Sequence, residues 1–290
     1  MKIAVYGNRR QEAHIGQIEI LLSSLRAHGY AIYMHPKIYD HLTAMSGHAP
    51  DVAGVIPVGA DFSADMAISI GGDGTFLRTA EWVGSRQIPI LGINTGHLGY
   101  LSDVSIDEAA TLADELAAGN LVIESRSLIE VSLPYAPESF WPFALNEVAV
   151  IKKDTASMIA VRTCIAGNEL NTYVGDGLIV STPTGSTGYN LSVGGPIIQP
   201  TAPNWVLSPV AAHSLTMRPL VISEDELLAL TPTSRAGTFL LSLDGRSLSL
   251  PSGTVIKLRK APFATRVIHR VGHNFAETLR SKLLWGIDNR

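Results

Sequence analysis

The chain has 290 residues, 46% of them hydrophobic, a formal net charge of −4 and a single cysteine. That is ample apolar material for a buried core in one large or two ordinary domains, and without a long Lys/Arg block no nucleic-acid footprint is expected. The lone Cys164 rules out an intramolecular disulfide and any cysteine-cluster zinc site. No apolar run approaches the roughly 20 residues of a membrane span. Residue 2 already opens a strand, leaving no stretch for a signal peptide, so the expectation is a cytoplasmic chain without a membrane role.

The first third alternates strands and helices. Ile3–Tyr6 reads as a strand ending at Gly7. A helix follows with Ile15, Ile18, Leu22 and Leu25 on one face, closed by His28-Gly29. Tyr30–Met34, Met66–Ile70 and Pro89–Ile93 read as further strands, the middle one followed by a glycine turn and a helix over Phe76–Val83. This rhythm predicts an α/β domain with an open parallel sheet. Ligands of such sheets sit beyond the carboxyl ends of the strands, where both Gly71–Thr75 and Asn94-Thr95-Gly96-His97-Leu98-Gly99 fall.

After a helix over about Ser105–Ala118 the pattern changes to short alternating strands: Leu128–Leu133, Ala144–Lys152, Met158–Ala166, Leu178–Ser181, Phe239–Leu243 and Thr254–Lys260. Asp244-Gly245 between two alternating runs is a strong hairpin signal. The second domain is therefore expected to be all-β and sandwich-like. The tail, Asn274–Trp285, returns to helix with Phe275, Leu279 and Leu283 on one stripe, which predicts that it docks back on another part of the protein. The expected division is 1–103, joined by the C-terminal segment 266–290, against 104–265.

The most informative segment is Gly71-Gly72-Asp73-Gly74-Thr75. Glycines allow φ > 0 and remove the Cβ atoms that keep a ligand off the backbone. The helix start adds unpaired N–H groups and partial positive charge, which suit phosphate. Gly71, Gly72, Gly74 and Thr75 are thus phosphate-binding candidates, and the acid among them, Asp73, is the candidate base of a phosphoryl transfer. An N-capping Asp in a shape-setting turn is the bland alternative. Arg78, one helical turn on, is placed to reach phosphate there, or is an ordinary surface arginine.

Two further constellations stand in the β region. Asn146-Glu147 offers an amide and a carboxylate side by side, suited to a purine edge and a ribose hydroxyl, or is a polar pair at a strand edge. From Gly175-Asp176-Gly177 a buried strand leads into the cluster Thr182-Pro183-Thr184-Gly185-Ser186-Thr187-Gly188-Tyr189-Asn190-Leu191-Ser192, whose small hydroxyl residues and glycines leave room for a ligand. None of the nine histidines shows ligand spacing on a helix face; His213, in an apolar setting, is expected to be a hydrogen-bonded structural residue.

Taken together these residues resemble the NAD kinase family. The Gly71–Thr75 motif alone is shared with 6-phosphofructokinases and with diacylglycerol and sphingosine kinases. The combination with Gly92-Ile93-Asn94, Gly96, Leu98-Gly99-Tyr100-Leu101, Asn146-Glu147-Val148, Asp176-Gly177 through Ser192, Arg218-Pro219-Leu220-Val221 and Phe275–Gly286 is more specific, and it covers nearly the whole chain in motif order. The resemblance implies transfer of a phosphoryl group to the 2′-hydroxyl of the adenosine ribose of NAD, giving NADP. It implies Asp73 as general base and Gly74 against the same ligand. It implies that Asn146, Glu147 and Asp176 bind NAD, with Thr187, Gly188, Tyr189, Asn190, Leu191 and Ser192 lining adenine and ribose. ATP or polyphosphate is the implied donor, with Mg²⁺ or another divalent metal arriving on it rather than in a dedicated protein cage. A homo-oligomer, dimer or tetramer, is also implied. Departures from the family pattern fall at Ser157, Val174, Gly188 and Arg246. A lipid kinase of the diacylglycerol or sphingosine type and a non-catalytic dinucleotide sensor are the alternatives.

Overall fold

The computed structural model describes residues 1–9, 12–96, 99–154 and 157–286. They form two compact units, Met1–Ser125 with the segment from Thr265 onward, and Arg126–Ala264.

The first unit is built on parallel strands β1 (Lys2–Gly7), β2 (Ala31–Met34), β3 (Gly54–Val55), β4 (Met66–Ile70) and β5 (Ile90–Asn94), with short β6 (Val104–Ser105) paired to β5. The spatial order is β5-β4-β1-β2-β3, with every pair parallel. Successive side chains of a strand face opposite sides. Ile3, Val5, Ile68 and Ile70 point into one core with Ile18, Leu21, Leu22 and Leu25 of α1 (Ile15–Ala27), Ile38 and Leu42 of α2 (Pro36–Ser46) and Leu112 of α4 (Ala109–Ala118). On the alternate face Ser69 meets α3 (Asp73–Val83), accepting a hydrogen bond from the Thr79 hydroxyl at 2.9 Å.

Two helices differ from the sequence reading. α2 was not predicted, although Pro36 stands in its first turn and Gly47, at φ 77°, closes it. α3 begins at Asp73 rather than Phe76, so Gly71 and Gly72 alone form the turn.

The second unit opens on β7 (Leu121–Ser132, which enters from the first unit) and β8 (Phe143–Ala144) and continues through β9 (Glu147–Lys152), β10 (Ile159–Ile165), β11 (Asn168–Gly175) and β12 (Gly177–Ser181). The short helix α5 (Tyr189–Ser192) follows, then β13 (Asn204–Val210), β14 (Leu220–Ser223), β15 (Leu228–Ser234), β16 (Thr238–Leu243), β17 (Arg246–Pro251) and β18 (Ile256–Arg270). One antiparallel sheet runs β14-β13-β12-β9-β16-β17; β10 pairs antiparallel with β11 and β15, and β15 with the first residues of β18. Trp205, Phe239, Leu178, Val150 and Val161 are among the residues that fill its core. The expected hairpin forms at Asp244-Gly245, both with φ > 0 (48° and 80°), as a two-residue turn of the type that matches strand twist.

The division falls after Ser125, not at 103/104, because α4 packs on α1 and buries Leu112 and Ala113 in the first core. The tail forms the expected helix, α6 (Phe275–Leu283), capped by Asn274, whose side chain accepts the Ala276 N–H at 2.9 Å. None of its residues is fully buried; Phe275, Leu279 and Leu283 of its apolar stripe are half-buried. No helix among the described residues is long and apolar enough to cross a membrane.

Phe239 is fully buried at the centre of the second unit. Truncation to Ala removes its packing and leaves a cavity, and is expected to lower unfolding stability by about 3–5 kcal/mol in denaturant melts.

Candidate active site

Asp73 is the first residue of α3, and Gly72 before it supplies no side-chain cap to the helix start. Both carboxylate oxygens of Asp73 accept backbone N–H groups: Tyr100 donates to Oδ2 at 2.7 Å and Leu101 to Oδ1 at 3.0 Å. A carboxylate has about four lone-pair positions. Two remain for a substrate proton while the others fix the group's direction. Gly71 has φ 147°, and a Cβ there would lie 2.4 Å from the Thr75 hydroxyl, so the turn requires glycine.

A pocket of about 240 Å³ opens beside the turn, lined by Tyr6, Asn8, Lys37, Gly72, Gly74, Thr75 and Arg78. Asn8 and Lys37 did not emerge from the sequence; they come from the carboxyl end of β1 and the first turn of α2, where the parallel sheet gathers its loops. Arg78 lines this pocket and also pairs with Glu81 at 2.9 Å. Thr75 lines the pocket and also holds the turn together. Its hydroxyl accepts from Asn8 at 2.8 Å and its N–H bonds the Gly72 carbonyl, so it braces the turn. Of the second glycine segment, Asn94 and Gly96 are joined by a hydrogen bond from the Gly96 N–H to the Asn94 side chain at 2.9 Å, while His97 and Leu98 lie outside the described residues.

The second unit holds a separate constellation. Asn146 and Glu147 stand at the start of β9, where the buried Asp244 carboxylate accepts N–H groups from Leu145 (2.7 Å), Asn146 (2.9 Å) and Glu147 (3.1 Å). Asp244 was read from the sequence only as a turn residue. Burial pushes its carboxyl up, against the three amides and the Arg246 charge. Arg246, a departure from the family pattern, donates to the carbonyls of Leu243, Trp141 and Phe143 and so ties the hairpin to β8.

With the backbone thus held, Asn146 Oδ1 and Glu147 Oε2 are buried without a hydrogen-bond partner. An unsatisfied buried polar atom costs roughly 1–3 kcal/mol, which a ligand bearing hydroxyl or amine donors would relieve. Glu147 is raised to about 7, first by burial and then by the Asp244 charge, with the Tyr189 N–H acting against both.

The small-residue loop folds tightly against this pair. A Cβ on Gly185 would lie 2.1 Å from the Asn146 carbonyl, so only glycine lets the loop approach β9. Tyr189 and Ser192 are exposed, and Thr187, Gly188 and Leu191 half-buried. Asn190 departs from expectation: fully buried, its amide donates to Ser186 and Pro196 and its oxygen accepts from Ser208 at 2.6 Å, so its side chain locks the loop. Asp176 pairs with Lys152 at 2.7 Å. Ser157 and Val174 line a cavity of about 490 Å³ with Met158, Thr233 and Arg235. His213 is exposed rather than structural.

The ATP-NAD kinase N-terminal domain family matches residues 3–121, and the ATP-NAD kinase C-terminal domain family matches residues 145–270. An NAD kinase of Porphyromonas gingivalis is 45% identical over 98% of both chains. This chain belongs to the NAD kinase family. An NAD kinase of Bacteroides fragilis is 42% identical over the full length of both chains. Among solved structures, an NAD kinase from Archaeoglobus fulgidus in complex with ATP superposes with a TM-score of 0.73 at 26% identity, covering 97% of this chain and 99% of that one. The yeast NADH kinase complexed with NADH gives 0.87 at 20% identity, covering 100% and 89%, and shares the fold.

The raised Glu147 sets a pH dependence. Its folded pKa of about 7 lies above the ordinary 4.5, so the folded protein keeps a proton that the unfolded chain has released. Stability is therefore greatest below about pH 4.5 for this group and declines as pH rises toward 7. Glu147→Gln is expected to flatten the decline in ligand-free protein, seen by subtracting wild-type from variant melts across that range.

Proposed function

We propose that this protein transfers a phosphoryl group from ATP or polyphosphate to the 2′-hydroxyl of the adenosine ribose of NAD, giving NADP. Membership of the NAD kinase family over nearly the whole chain supports an enzyme of this type over a lipid kinase or a silent sensor. The observation that carries the mechanism is the Asp73 carboxylate, aimed by two backbone amides at the uncapped start of α3 with lone pairs to spare.

A ribose hydroxyl is a poor nucleophile at neutral pH. Asp73 accepts its proton as the new P–O bond forms, and positioning supplies much of the remaining acceleration. The turn of Gly71 and Gly72 and the helix start at Gly74, with Lys37 and Arg78 at the adjoining pocket, offer the Gly72 and Gly74 amides and positive charge to the donor's phosphates. Asn146 and Glu147 hold the dinucleotide's polar groups, which the two unpartnered oxygens favour. Tyr189, exposed beside them, packs on a ring of the ligand, with Thr187, Gly188, Leu191 and Ser192 along it and Asp176 at another polar group.

A magnesium ion, which prefers oxygen ligands, would arrive on the donor's own oxygens. That ion would neutralise phosphate charge, with Asp73 the carboxylate nearest to hand on the turn. We place the enzyme in the cytoplasm as a homo-oligomer, dimer or tetramer, as its family resemblance implies.

Asp73→Asn keeps the shape and one of the two amide contacts, since its NH2 cannot accept the second N–H, and removes the base. NADP formation from NAD, ATP and Mg²⁺ is expected to slow by about 10² or more while NAD binding, followed by calorimetry, persists. Unchanged turnover would refute the role, and phosphorylation of lipid but not NAD would refute the substrate.

A further inference from the structure

Away from the glycine turn, three side chains with metal-binding chemistry converge within the first unit. Asp103 follows the segment that holds Asp73, His269 is the penultimate residue of β18, and His273 lies in the turn before α6. The ligand atoms of the three lie within 4.8 Å of one another. Both histidines turn the same ring nitrogen, Nδ1, to the same oxygen, Asp103 Oδ2, that of His273 at 3.0 Å and that of His269 closer still. The two rings stack face to face, 4.1 Å between centroids and 17° between planes.

The place is enclosed. The side chains of His269, Asp103 and His273 are 2%, 12% and 19% exposed. Burial pushes the Asp103 carboxyl up, but hydrogen bonds from both histidines outweigh it and hold the group well below the usual carboxylate range. The scaffold is fixed on both sides: Arg270, next to His269, is bidentate to Glu115 at 2.8 and 3.1 Å and pairs with Glu108 at 2.8 Å.

We propose that Asp103, His269 and His273 form a binding site for a divalent transition-metal ion, zinc in the first instance. Two imidazoles and one carboxylate are a ligand set that zinc takes readily, with the fourth position left to water. Tetrahedral ligands around zinc stand about 3.3 Å apart, given bonds of roughly 2.0 Å. Reaching that figure requires the three side chains to rotate from their present hydrogen-bonded spacing and the two stacked rings to open toward the ion. Asp103 lies two residues beyond Leu101, whose N–H holds Asp73, so the ion braces the segment that orients the catalytic carboxylate. This bracing rests on the role assigned to Asp73; the binding site does not.

The test uses tag-free, full-length protein stripped of metal by a chelator. Zinc titrated by calorimetry is expected to bind at about one equivalent, and cobalt to give the absorption of a tetrahedral site. His273→Ala, in a turn where folding is little disturbed, and Asp103→Asn are expected each to weaken zinc binding at least tenfold. His273→Cys, which supplies another zinc ligand, is expected to retain it. Absence of zinc binding in the wild type, or binding in His273→Ala and Asp103→Asn undiminished from the wild type, overturns the site. Zinc is also expected to slow amide exchange at Tyr100 and Leu101, and exchange indifferent to zinc overturns the bracing.

Discussion

Carboxylates gripped by backbone amides organise both halves of this protein. Asp73 is held through Tyr100 and Leu101, and Asp244 through Leu145, Asn146 and Glu147. Charge-assisted bonds of this kind are short and about twice as strong as neutral ones. In the first unit the grip aims the carboxylate itself. In the second it fixes the backbone from which Asn146 and Glu147 project. Each acid lies far in sequence from the amides it binds, so neither arrangement exists until its own unit has folded.

The folds explain why these grips sit where they do. Parallel strands β4 and β5 end side by side, so the loop after β5 returns over the first turn of α3, and Tyr100 and Leu101 meet Asp73 there. In the antiparallel unit, β9 lies between β12 and β16. The β16–β17 turn therefore places Asp244 at the start of β9, and the loop after β12 returns against the same point through Gly185. The cost of keeping Asn146 Oδ1 and Glu147 Oε2 buried without partners is carried by the surrounding sheet, as is common where a binding site requires it.

Much of this was legible in the sequence because the relevant signals are local. Apolar runs ending in glycine marked β1 and β4, helical spacing marked α1, and Asp244-Gly245 marked its hairpin. Helix α2 escaped because its apolar contribution is slight, Ile38 and Leu42 alone being buried, although Pro36 and Gly47 punctuated it. The glycine turn and the small-residue loop announced themselves through composition, yet composition could not say which polar side chains face outward. The buried Asn190 side chain ties its loop to Ser208 of β13, and the Thr75 hydroxyl accepts from Asn8 after β1. What stayed invisible was every partnership between distant residues: Asp244 with β9, Lys37 and Asn8 beside Gly72, and Asp103 with His269 and His273. Periodicity reports which face is buried, not which far segment arrives to cover it.

The proposed chemistry turns on Asp73 taking the proton of the ribose hydroxyl. A crystal structure of the protein with NAD bound reads that geometry directly. A carboxylate oxygen of Asp73 is expected about 2.6–3.2 Å from the adenosine 2′-oxygen, or joined to it by one water, with the Tyr100 and Leu101 amides still in place. A carboxylate turned from the sugar, beyond the reach of a single water, would contradict it.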